Sequence, residues 1–222
     1  MRLDQADKIL DRFIGDLLTP LGFKRIECLI YARPWNEATV WITFPSHSVI
    51  SYIAFSCRVV IFFDSLSRWL SENPSEKVPA AGIPIHLLRP STDYVEWEFV
   101  RTSDLEGLKD SIMSDLKNYA FPFAEKYTHL SEIKIALESF PKTKDWLAFS
   151  QEERHRFLQN NRFLYSLDAD QQVCLRAAIR LIEGDKAGAL KIVDDTLLER
   201  KDALPKRRYR IEEFRKRIQD AG

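Results

Sequence analysis

Between Val49 and Phe63 the chain reads VISYIAFSCRVVIFF, its longest run of β-branched and aromatic residues. Ile53, Phe55, Cys57, Val59, Ile61 and Phe63 are apolar at every second position, while Tyr52, Ser56 and Arg58 break up the alternate set. Period two with one dry face is the pattern of a half-buried strand, and no polar stripe at helical spacing competes with it. The run therefore predicts the central strand of a sheet. Fifteen residues exceed the usual strand length, so a bend or bulge is expected near Ser56–Arg58.

The neighbours follow from the same reasoning. Residues 4–19 predict an amphipathic helix whose stripe is Leu10, Phe13, Ile14, Leu17 and Leu21, with Asp11, Arg12 and Asp16 off it. Pro20 and Gly22 end it. FKRIECLIYAR (23–33) and ATVWITF (38–44) predict two further strands joined by a turn at 34–36, and PSHS (45–48) a turn into the central strand. A short helix is expected at 64–71, then an exposed loop at 71–82. IPIHLLR and DYVEWEFVR predict a hairpin around Pro90-Ser91-Thr92. Its best register pairs Arg89 with Asp93, Leu87 with Val95, Ile85 with Trp97 and Ile83 with Phe99, leaving His86 opposite Glu96. Ser103 and Glu106 form a capping-box pattern for a helix at 104–118, which FPF (121–123) breaks before a helix at 129–139.

After Pro141–Lys144 the chain changes to helical patterns. Helices are expected at 151–160, 169–183 and 186–200, with a last one from Pro205. Ser150 with Glu153 and Asp168 with Gln171 are capping boxes, and Gly184-Asp185 closes one helix and caps the next. The pair around Gly184 only loosely matches a tetratricopeptide hairpin, and a plain helical hairpin is the simpler reading. The expected fold is α+β: a mostly antiparallel sheet of about five strands with covering helices over 1–140, then an all-helical subdomain over 145–222.

Composition narrows function. Lys and Arg total 33, as do Asp and Glu, so the chain lacks the global charge of a nucleic-acid binder. No apolar run is long enough to span a bilayer, and the N-terminus has no secretory core. Cys28, Cys57 and Cys174 are odd in number and widely spaced, which fits reduced thiols in the cytoplasm. His47, His86, His129 and His155 show no metal-ligand spacing, and no motif implies a cofactor.

Two clusters carry polar chemistry. His86, Arg89, Asp93, Tyr94, Glu96 and Trp97 gather on the late hairpin and would form an anion or peptide pocket with an aromatic floor. The plainer alternative is Arg89–Asp93 and His86–Glu96 pairing with Trp97 in the core. Lys206, Arg207, Arg208, Arg210, Arg215 and Arg217 make a basic stretch suited to nucleic acid or an acidic partner. Ile211, Phe214 and Ile218 share that stretch and suggest a packed helix with a solvated face. Cys57 with His47 or His86 is the one arrangement that suggests nucleophilic chemistry, and a thiol on a dry strand face is usually inert.

Over roughly residues 13–139 the chain resembles the bacterial domain-of-unknown-function family numbered forty-three-oh-four. The residues that carry this are Leu18-Thr19-Pro20-Leu21-Gly22-Phe23-Lys24, then Ser46 and the 53–63 strand. His86, Arg89, Asp93 and Trp97 follow, then Pro122-Phe123 with Leu130 and Leu137. The resemblance implies an α+β fold and no established activity. The expected function is non-catalytic protein interaction, of immunity or accessory type by family context. The alternatives are a small-anion or nucleic-acid binder using Arg89 and the basic helix, and an unrecognised hydrolase.

Overall fold

The structure, a computed structural model, describes residues 3–71, 73, 76–89, 96–139, 150, 167–201 and 205–221. The chain is α+β, and it divides into two units. The first holds residues 1–61 and 82–129, the second 62–81 and 130–222. This differs from the boundary expected near Pro141. The second unit takes back a segment that the sequence reading gave to the sheet, and it starts at Leu130. The chain crosses from the first unit inside one strand and returns inside the next.

In the first unit, α1 (Leu3–Leu18) buries Ala6, Leu10, Ile14, Leu17 and Leu18. Asp11, expected off the apolar face, is buried as well, at 8% exposure. The stretch 23–33 is a hairpin rather than one strand: β1 (Lys24–Glu27) pairs with β2 (Ile30–Trp35) across Cys28-Leu29. Leu29 takes φ of 59°, a conformation uncommon outside glycine and asparagine, so the sequence carries no residue that marks the turn. Asp11 explains why it forms. Its Oδ1 accepts from the Leu29 N–H at 2.8 Å and from the Tyr31 hydroxyl at 2.8 Å, and its Oδ2 meets Arg25 Nε at 2.7 Å.

From Asn36-Glu37 the chain enters β3 (Ala38–Thr43), which pairs with β2 antiparallel. Ser46–Ser48, expected as a turn, is a short strand, β4. The long apolar run then splits at Ser56-Cys57 into β5 (Ile53–Phe55) and β6 (Arg58–Phe62). The expected bend is real, and its two halves serve different sheets. β4, β5 and, later, β8 (Trp97–Phe99) form a three-stranded sheet in that order. β6 lies in a five-stranded sheet of order β1-β2-β3-β6-β7, where β7 is Pro79–Pro84. The dry face survives the split, since Ile53, Phe55, Cys57, Val59, Ile61 and Phe63 are each at most 4% exposed.

The late hairpin is not formed as expected. After β7 the chain makes a 3-10 turn over Ile85–Leu88, and the Ile85 N–H donates to the Cys57 carbonyl at 2.8 Å. Trp97 and Phe99 pair with Phe55 and Ile53 of β5 instead of with Ile85 and Ile83. Aromatic partners on β5 outcompete the local register, with Phe55 5.5 Å from the Trp97 ring and 6.0 Å from Phe99.

α3 (Thr102–Asp115) follows, its first turn held by Asp104, which accepts from the Val100 and Arg101 amides at 2.9 and 2.8 Å, in place of the expected Ser103–Glu106 box. The FPF motif does not break the helix. A π turn over Leu116–Ala120, closed by the Phe121 N–H on the Leu116 carbonyl, leads straight into α4 (Phe121–Tyr127). The wider turn accommodates Pro122, which lacks a donor and would crowd an α-helical carbonyl one turn back.

The second unit contains α2 (Asp64–Leu70), α5 (Leu130–Glu138), α6 (Ala169–Ile182), α7 (Lys186–Glu199) and α8 (Pro205–Asp220). α6 is the axis: α2, α5, α7 and α8 all pack on it. Its Asp168–Gln171 box forms in both directions, at 2.7 and 2.9 Å. Gly184 ends α6 at φ 81°, and Asp185 caps α7 through the Gly188 N–H at 2.8 Å. Ala177 and Ala189 are fully buried in this pair, and Ile211, Phe214 and Ile218 of α8 are also fully buried. The helix expected at 151–160 lies outside the described residues.

Candidate functional site

The two clusters read from the sequence meet different fates. Of the first, Asp93 and Tyr94 lie outside the described residues. Arg89 forms a forked pair with Asp115 at the end of α3, its Nε 3.2 Å from Oδ1 and its Nη2 on Oδ2. Both side chains are largely buried, so the guanidinium expected to bind a ligand closes a helix end onto the 3-10 turn. Trp97 is 4% exposed and donates its indole N–H to Ser111 Oγ at 3.2 Å. Glu96 lies 3.6 Å from His47 Nε2. Burial holds the His86 imidazole below its ordinary pKa, the Arg89 charge adds to that effect, and Glu96 opposes it. Burial, then the Asp115 charge, pushes the Cys57 thiol up, against thiolate formation.

The basic stretch is built into the helical unit. Arg208 pairs with Glu212 at 3.0 Å, Arg210 with Asp168 at 2.9 Å and Arg215 with Asp194 at 2.5 Å. Arg217 differs. It donates to the Trp69 carbonyl at 3.1 Å and lies 5.5 Å over the Phe214 ring, and among the described residues no carboxylate pairs with it. The side chains of Lys206 and Arg207 lie outside the described residues.

Arg210 and Arg217 open onto a cleft of about 380 Å³ inside the second unit. α2 and the segment leading into β7 form one wall, with Leu70, Val78 and Pro79. Ser67 Oγ holds that segment by accepting the Val78 N–H at 3.1 Å. α6 and α8 form the other, with Cys174, Leu175 and Phe214. Glu76 and Lys77 lie at the rim. Ser71 Oγ donates to Glu76 at 2.9 Å, and Lys77 pairs with Asp64 at 3.2 Å. The Cys174 thiol is pushed up to about 11 by burial, with Arg210 and Arg217 pulling the other way. The cleft thus joins an apolar wall to one part-buried cation that lacks a carboxylate partner among the described residues.

This wall is not legible in the sequence, because SENPSEKVPAAG reads as an exposed loop and nothing local says that Val78 and Pro79 border a cleft. Among the described residues no group of three or more His, Cys, Asp or Glu side chains is placed to hold a metal, and no helix is long and apolar enough to cross a membrane. A scan against protein-family models finds no match, and neither the curated proteins nor the solved structures contain a significant one.

Proposed function

We propose that this protein acts in the cytoplasm by binding another polypeptide, and that the cleft of its helical unit receives the partner. The cleft itself supports the reading: about 380 Å³ with mixed polar and apolar lining, in the range of sites that bury a ligand's side chain. The free thiols Cys28, Cys57 and Cys174 favour a reducing compartment. An immunity or accessory role fits this reading and rests on the family resemblance alone. The nucleic-acid alternative has weaker support, because Arg208, Arg210 and Arg215 are already paired with carboxylates.

The test is in-cell cross-linking with the full chain, beside a Val78→Trp variant that fills the cleft from its wall. A partner cross-linked to the wild type is then purified and mixed with both forms. One-to-one binding that Val78→Trp abolishes, with the melting curve kept, is the expected result. A purified partner that binds both forms equally removes the cleft from the reading.

A further inference from the structure

The cleft carries a more specific reading, which rests on the polypeptide-binding role just proposed. Its lining charges are Lys77, Arg210, Arg217 and Glu76. Lys77 pairs with Asp64 and Arg210 with Asp168, both at exposed positions. Among the described residues, the lining charges without an ion-pair partner are the Arg217 cation on one wall and the Glu76 carboxylate at the rim. Arg217 emerges from α8 beside the buried Phe214, so its charge borders the part-exposed apolar side chains of Leu70 and Val78. A guanidinium with one contact to a carbonyl keeps further N–H donors in a planar fork that matches a carboxylate.

We propose that the cleft captures the C-terminal residue of the partner polypeptide, an aliphatic one, with its terminal carboxylate on Arg217 and its side chain against the apolar wall. Three observations select a chain terminus. Carboxylate and aliphatic side chain share one α-carbon there, as the cation and apolar wall adjoin here. A volume of about 380 Å³ is at the small end of ligand cavities and accommodates one or two residues rather than an extended segment. Glu76 disfavours a second carboxylate and favours a backbone N–H, which a terminal residue supplies and a free dianion does not. Capture of a terminal carboxylate is a known way to read a peptide end.

The experiment measures anisotropy of N-terminally labelled tetrapeptides Ala-Ala-Ala-Leu, Ala-Ala-Ala-Val and Ala-Ala-Ala-Phe with the full chain. Each is made as the free acid and as the C-terminal amide. The free acid ending in Leu or Val is expected to bind at least tenfold tighter than its amide. Arg217→Met removes that difference, Arg217→Lys keeps part of it, and Arg215→Met leaves it unchanged. The acid-to-amide comparison uses only wild-type protein, so it decides the matter even if an Arg217 variant fails to fold. Equal binding of acid and amide overturns the carboxylate anchor. Free leucine competing better than the peptide acid overturns the polypeptide terminus in favour of a free amino acid. Failure of every peptide to bind, while Val78→Trp still blocks the purified partner, overturns this inference and leaves polypeptide binding standing. If Val78→Trp has no effect on the partner either, the broader reading falls too.

Discussion

Asp11 shows how one side chain can set local structure that its neighbours do not specify. It receives the Leu29 N–H and the Tyr31 hydroxyl inside the first unit, and Arg25 closes it from outside. Asp11→Ala leaves the buried Leu29 donor without an acceptor, so we expect a loss of about 1–3 kcal/mol in urea unfolding. Leu29 then also loses the contact that offsets its left-handed backbone. Leu29→Gly relieves that backbone strain but removes a side chain only 7% exposed, so its effect is smaller than that of Asp11→Ala. His86 gives a pH prediction. Its folded pKa lies below the ordinary 6.5, so the unfolded chain takes up the proton first as pH falls. Stability from this group is complete above 6.5 and is lost as pH drops below it toward the lower folded value. Melting temperatures from pH 7.5 to 5.5 should fall more for the wild type than for His86→Gln, and parallel slopes would remove His86 as the cause.

At the scale of elements, the start of α7 allows a test in which one substitution changes sign. A Cβ on Gly188 would lie 2.1 Å from the Asp185 carboxylate that caps the helix. Gly188→Ala gains helix propensity of up to about 1 kcal/mol but displaces a cap worth about 0.5–2 kcal/mol. We expect net destabilisation in the wild type and net stabilisation in an Asp185→Ala background, read as opposite shifts of the urea midpoint. This cap was legible in the sequence, as were the Asp168–Gln171 box, the alternation of 53–63 and the Ile211, Phe214, Ile218 stripe. Each is written in residues a few positions apart. What stayed hidden depends on distant partners. The 23–33 hairpin needs Asp11, the separation of β5 from β6 needs two sheets, and Trp97 chooses Phe55 over Ile85 by long-range packing. The candidate site divides the same way. Arg217 was named from the basic stretch, but the apolar wall opposite it comes from a segment that reads as loop.

At the scale of the whole molecule, the composition of the second unit makes a prediction about truncation. Leu66 of α2 is fully buried, and α2 packs on α6. A chain ending at residue 140 keeps α2 but loses α6, so it should bind a hydrophobic dye and melt without a sharp transition. A cooperative melt and no dye binding would mean that residues 1–140 fold alone. The same interruption has a consequence during synthesis. Residues 62–81 leave the ribosome roughly ninety residues before the start of α6. At about 5–20 residues per second that is a wait of roughly 5–20 seconds. Throughout it α2 is tethered between two strands with its Leu66 side uncovered, so the apolar contact that α6 supplies is the last one this segment gains.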